Sequence, residues 1–125
     1  MNLVYVILGA MVGAPARYLL GTAITDANWG RFPYGTLAVN ITGCLAIGIV
    51  GTLVVEKAAL SREARLLIIT GFLGSYTTFS AFGFETFELI RSGDVSRALV
   101  NAIGSVVVGV LAVWAGAAIA KVAWA

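Results

Sequence analysis

Histidine is absent from this chain, cysteine occurs once and proline twice in 125 residues. With Cys44 alone, neither an internal disulfide nor a multidentate thiolate metal site can form. A packed apolar thiol is the role left for it. Charge is scarce too: Asp, Glu, Lys and Arg make up 11% of the chain, against roughly 25% in a soluble domain. No Gly-rich phosphate loop ending in Lys-Ser/Thr appears, so a nucleotide-driven engine is excluded. The net charge of +2 is ordinary for a membrane protein and gives no reason to expect nucleic acid as a partner. A positive leading segment is missing ahead of residues 3–16, which argues against a signal peptide ending at Ala14-x-Ala16.

What the chain has instead is length of apolar run. Hydrophobic residues make up 60% of it, and the mean hydropathy is +0.98. Charges cluster so as to leave 1–16, 32–55, 66–84 and 98–120 uncharged. A bilayer span needs about 20 mostly apolar residues, and the first run reaches that length if Arg17 is admitted. The expectation is an all-α membrane protein of one domain, 1–125, with four transmembrane helices at about 2–25, 34–55, 63–91 and 97–121. Connections at 26–33, 56–63 and 91–96 are too short for any extramembrane domain. Asn40-Ile-Thr42 spells a glycosylation sequon, but at mid-span that chemistry cannot reach it.

The charge balance across the membrane is close to a tie. Lys57, Arg62, Arg65 and Lys121 fall on one side; Arg31, Arg91 and Arg97, with Arg17 if it snorkels, fall on the other. Orientation normally follows the excess of Lys and Arg on the cytoplasmic side. Without an excess, the chain can insert both ways and form an antiparallel dimer about a two-fold axis in the membrane plane. Determinants outside this count, fixing one orientation, are the alternative.

The spans carry polar and small residues in pattern. In the first, Gly9-x-x-x-Gly13 offers a helix-packing face and Pro15 a kink. Arg17 lies roughly 24 Å from the chain start; it is either an interfacial anchor or a cation drawing anions to a pore mouth. In the second, Thr36, Asn40 and Gly43 share one face. Asn40 reads equally as an interhelical hydrogen bond or as an amide donor lining an anion path. The third starts at a capping Ser61, ends near Gly93, and places Glu85 and Glu88 in its last turns, reaching the interface. Residues 71–82, Gly-Phe-Leu-Gly-Ser-Tyr-Thr-Thr-Phe-Ser-Ala-Phe, break the pattern of a membrane helix around 71–78. Backbone that leaves the helix at that depth is tolerated only against protein or a water-filled cavity, and it tends to mark an ion or substrate site. Phe79 and Phe82 point the same way, either as core packing or as ring edges offered to an anion. In the fourth, Asn101 and Ser105 make a polar stripe that serves as packing glue or as a donor track.

Gly9-x-x-x-Gly13-x-x-x-Arg17-Tyr18, Gly35-Thr-Leu-x-Val-Asn40-x-x-Gly43 and Gly71-x-x-Gly74-x-x-Thr77-Thr78-Phe79-Ser80-x-Phe82 together resemble the Fluc/CrcB fluoride channels. The motifs fall in order in the first three spans, and the likeness covers essentially the whole chain. The resemblance implies a dual-topology antiparallel homodimer with two pores, multi-pass in the plasma membrane (the bacterial inner membrane), passing fluoride without catalysis. It implies that Phe79 and Phe82 form the phenylalanine box and that Asn40 donates its amide to fluoride. Ser80, Ser105 and Asn101 would belong to the polar track, and Arg17 would sit near the vestibule. Backbone carbonyls of Gly74 and Thr77 would hold a structural sodium on the two-fold axis, with no organic cofactor. The chain departs from the family pattern at Ala81, where a Thr is frequent, and at Asn101, where many members have Tyr.

Two rivals remain. A proton-coupled drug exporter of four spans requires a membrane-embedded carboxylate; residues 1–25 and 32–55 have none. An assembly subunit, in which every polar group is glue, would pass no ions.

Overall fold

The computed structural model describes residues 1–27, 30 and 32–125; Arg31, one of the charges of the 26–33 connection, lies outside the described residues. Two uninterrupted helices come first, α1 (Asn2–Ala27) and α2 (Tyr34–Lys57). A composite third span covers Arg62–Arg91. It is built from α3 (Arg62–Arg65), a π-helical stretch (Leu66–Leu73), α4 (Gly74–Tyr76), two extended residues and α5 (Phe79–Arg91). The last helix is α6 (Val95–Ala123). At about 1.5 Å per residue, the 26, 24 and 29 residues of α1, α2 and α6 outreach the bilayer core.

The interior holds little. Apart from glycines, the buried residues among those described are Val39, Leu73, Tyr76, Leu89, Ala98, Ala120 and Asn101. Large apolar side chains such as Leu99, Ile103, Val110 and Trp114 face outward along α6. Water does not tolerate such a surface, whereas lipid chains are themselves apolar and make no demand that it be hidden. The chain is a multi-pass membrane protein with four spans.

Because hydrocarbon gives helices no hydrophobic reason to associate, close backbone contact must do it. Gly9 and Gly13 of α1 lie directly on the π-helical stretch and α4. A Cβ at Gly9 would overlap the Leu67 carbonyl, and one at Gly13 would overlap Ser75 and the Phe72 carbonyl. In the same way Gly48 of α2 rests on the Val113 backbone, and Gly116 of α6 on the Leu45 carbonyl. Gly35 against Gly21 and Thr25 joins α1 to α2 in antiparallel fashion. The molecule is thus two parallel helix pairs, α1 with the third span and α2 with α6, connected through α1 and α2.

Local signals set the ends. Ser61 Oγ accepts the Ala64 N–H at 3.1 Å and starts α3. Gly93 at φ +85° ends α5, with the Gly93 N–H on the Ile90 carbonyl and the Asp94 N–H on the Leu89 carbonyl, a Schellman arrangement. Asp94 caps α6 through the Arg97 N–H, and the Arg97 guanidinium holds its carboxyl below the usual carboxylate range. Pro15 does not end α1, which runs on to Ala27. Glu85 is turned toward the start of α2, where Thr36 Oγ1 donates to Glu85 Oε1 at 2.7 Å and Oε2 is buried without a partner among the described residues. Glu88 is paired with Arg91 at the surface.

Candidate functional site

The third span opens at Thr77 and Thr78, which are extended (φ −81°, ψ 156° and φ −147°, ψ 118°). A side chain of α2 explains why. Asn40 Nδ2 donates to the Thr78 carbonyl at 2.9 Å, while the Thr78 N–H donates to Asn40 Oδ1 at 2.8 Å. The amide therefore imitates a strand neighbour, satisfying both polar groups of a residue outside the helix. Thr78 also caps α5, its Oγ1 accepting the Ala81 N–H at 3.2 Å.

These two bonds have a consequence for the carbonyls upstream. In an unbroken helix the Thr78 N–H would close on Gly74, and the Ala81 N–H on Thr77. Asn40 takes the first and Thr78 Oγ1 the second, so the carbonyls of Gly74 and Thr77 lose their ladder partners. Beyond the gap the first-turn N–H groups of α5 likewise have no carbonyl to bond. The break thus presents a carbonyl end and an amide end a few residues apart, suited to a cation and an anion respectively. Carbonyl oxygen is a proper ligand for a hard cation, but two are too few to enclose one. Among the described residues no group of three or more Cys, Asp or Glu offers another metal site.

Two cavities flank the break. One of about 580 Å³ is lined by Arg17, Thr22, Thr25, Asp26, Thr36, Thr78 and Ser80, with neighbours from α1 and α2. It is a bowl with hydroxyls, the Arg17 guanidinium and the Asp26 carboxylate on its wall. The other, about 450 Å³, is lined by Asn40, Cys44, Gly74, Thr77, Thr78, Phe79, Phe82 and Ser105 among others. Thr78 borders both. Phe79 and Phe82 stand 5.7 Å apart between ring centroids with their planes tilted by 48°. Phe79 is 84% exposed on a single chain, so its ring projects beyond the protomer.

Eight of the nine candidate residues from the sequence fall on these walls, Arg17 and Ser80 on the first and Asn40, Gly74, Thr77, Phe79, Phe82 and Ser105 on the second. Asn101 lines neither. It is 2% exposed, and its Nδ2 donates to Thr86 Oγ1 at 2.9 Å, which in turn donates to the Phe82 carbonyl at 2.8 Å. Ser105 Oγ donates to Asn101 Oδ1 at 3.4 Å. Sequence reasoning passed over Thr78 and the inward Glu85. A hydroxyl residue directly before a resumed helix, the N-cap signal, was the available clue to Thr78; nothing local points to Glu85.

Four membrane spans, the third broken and flanked by cavities, define the class: a small all-helical multi-pass membrane protein. The chain matches the family model described as CrcB-like protein, Camphor Resistance (CrcB), over residues 4–117. A Fluoride-specific ion channel FluC of Solibacter usitatus (strain Ellin6076) is 47% identical over 121 residues, 97% of this chain and 99% of that one. A FluC of Chloroflexus aurantiacus (strain ATCC 29366 / DSM 635 / J-10-fl) is 41% identical over 96% of this chain and 95% of its own. FluC 1 of Streptomyces avermitilis is 42% identical with the full length of both chains covered. The chain belongs to the CrcB family, a family of non-enzymatic transport proteins.

Proposed function

We propose that this chain is a fluoride-specific ion channel that lets cytoplasmic fluoride leave passively down its electrochemical gradient. It works as a dual-topology antiparallel homodimer with two pores and a structural sodium at the crossing of the broken spans. The observation that carries the proposal is the Asn40–Thr78 pair, which opens the third span beside Phe79 and Phe82 and takes the Gly74 carbonyl from the ladder, while the Thr78 cap on Ala81 takes that of Thr77. The relatives named as fluoride-specific channels add to it.

Fluoride is small and strongly hydrated, so dehydrating it calls for several donors close together. Arg17 draws the anion into the polar bowl. The hydroxyls of Thr78 and Ser80, 3.4 Å apart, and the first-turn amides of α5 meet it next. Asn40 uses one N–H on the Thr78 carbonyl and keeps the other for the ion. The positive edges of Phe79 and Phe82 and the Ser105 hydroxyl complete the passage. None of these is a fixed strong site, as conduction requires. Chloride is too large for the narrow path. Asn101, committed to Thr86 and Ser105, keeps α5 and α6 in register.

Two features favour a second copy. The ring of Phe79 projects from the protomer, where a second copy can meet it, and the Gly74 and Thr77 carbonyls need a matching pair to surround a cation. Sodium, when held, supplies positive charge and joins the two copies. The near-even distribution of Lys and Arg supports insertion in both orientations. One observation favours the proton-coupled exporter, the inward carboxyl of Glu85. Ion efflux from liposomes separates the two. The channel gives electrogenic fluoride flux with little chloride flux, unaffected by collapsing the proton gradient, and Phe82→Ile or Asn40→Asp abolishes it. Drug export that needs a proton gradient, without fluoride flux, overturns the proposal.

A further inference from the structure

Asn40 secures the break only on its downstream side, at Thr78. The upstream side ends in Tyr76, the last residue of α4, which is 8% exposed. Its hydroxyl lies 2.7 Å from Oγ1 of Thr42, two residues beyond Asn40 on α2. Thr42 Oγ1 is also 2.8 Å from the Ala38 carbonyl and 3.0 Å from the Val39 carbonyl. A threonine hydroxyl has one proton, and both carbonyls can only accept it. The direction is therefore fixed: Tyr76 donates to Thr42, and Thr42 donates to the backbone of α2. The Tyr76 ring stacks on Phe72 in the π-helical stretch, 5.6 Å between centroids and 9° from parallel. Between the two contacts, Gly43 leaves room for the Thr77 methyl, which a Cβ there would overlap. Positions 40, 42 and 43 of α2 thus hold positions 78, 76 and 77 of the third span.

We infer that Thr42 and Tyr76 are positioning residues of the channel: their hydrogen bond sets the rotation of α4, and with it the aim of the Gly74 and Thr77 carbonyls at the cation. The inference rests on the proposed channel reading for its functional half. Geometry supports the link, because α4 is a single turn whose downstream neighbour is extended. Tyr76 ties that turn sideways to α2 through a polar bond. Without it the turn is held by ring stacking, the α1 glycines and its bonds back to the π-helical stretch, where the Leu73 carbonyl accepts both the N–H and the hydroxyl of Thr77; none of these ties it to α2.

The test compares wild type with Tyr76→Phe, Thr42→Val, the double variant and Thr42→Ser, each purified in detergent and reconstituted. Melting temperature is titrated with sodium chloride against choline chloride, since a cation bound only by the folded form raises it with the logarithm of its concentration once that exceeds the dissociation constant. Fluoride flux is measured over the same sodium range. The expected result is an apparent sodium affinity weakened about fivefold in Tyr76→Phe and Thr42→Val, the effect of one lost neutral hydrogen bond. The double variant should be no worse than either single one, and Thr42→Ser should restore the wild-type value. Thr42→Val keeps the side-chain shape at an exposed position, so it serves if Tyr76→Phe does not fold. Additive effects, or melting changes with an unaltered sodium dependence, overturn the inference while leaving the channel standing. Wild-type protein without fluoride flux overturns the channel reading itself, and the melting titration still decides whether the pair governs cation binding.

Discussion

The second and third spans make an instructive contrast. α2 contains Gly35, Gly43, Gly48 and Gly51, yet it is helical from Tyr34 to Lys57. The third span holds Gly71 and Gly74 where a break would be expected, but both lie in helical backbone, and the chain opens later, at Thr77 and Thr78. Glycine content does not decide where a membrane helix fails. Competition for N–H groups does, and here the competitors are the Asn40 amide and the Thr78 hydroxyl. In hydrocarbon an N–H deprived of its carbonyl must find another acceptor, so a helix can open only where one is supplied.

Glycine substitution is the strongest way to break that contrast. Gly48→Ala and Gly43→Ala both insert a methyl into close contact, the first against the Val113 backbone and the second against the Thr77 side chain. Backbone cannot step aside, so Gly48→Ala should separate α2 from α6 and cost about 3 kcal/mol or more, near the upper end for overpacking. Folded yield and melting temperature check this. Gly43→Ala should cost less, about 1–3 kcal/mol, but should remove most fluoride flux because it displaces the break. If Gly43→Ala spares flux while Gly48→Ala abolishes it in folded protein, the functional importance given to the gap is misplaced.

Next in size is Asn101→Leu. It deletes the donor to Thr86 in a site 2% exposed. A loss of about 1–3 kcal/mol is expected for a broken buried hydrogen bond, with flux lowered but fluoride-over-chloride selectivity kept. Selectivity lost along with stability would place Asn101 on the ion path instead.

The smallest effect belongs to the exposed connection between α5 and α6. Arg97 holds the Asp94 carboxyl below its ordinary range. A carboxylate with a lowered pKa stabilises the fold above its unfolded value and loses that contribution as pH falls through the folded one. Asp94→Asn should therefore leave melting unchanged in strong acid and lower it slightly near neutral pH. Equal effects at both pH values would assign the role to capping alone.

The fold was legible in the sequence wherever its cause is local. Charge-free runs marked the four spans, Ser61 and Gly93 the ends of the third, and Gly9 and Gly13 a packing face. The hydroxyl-rich stretch before Phe79 located the break to within a few residues. Features that depend on contacts across the molecule stayed hidden. No pattern in Leu66–Leu73 announces a π-helical stretch. The Asn40 amide could not be seen to hold Thr78 on both sides, because that requires knowing which residue of the third span lies opposite. The distance of Glu85 from the span end did not show its bond to Thr36, a hydroxyl on α2. Asn101 shared a face with Ser105 as its spacing implied, but its main partner, Thr86, sits on another helix.

The Asn40–Thr78 pair also bears on the order of assembly. A lone segment 62–91 in lipid has no external acceptor for the Thr78 amide and is expected to cross as an ordinary closed coil. Opening then waits until the preceding hairpin arm docks alongside, so the conducting shape is a product of late helix association, not of insertion.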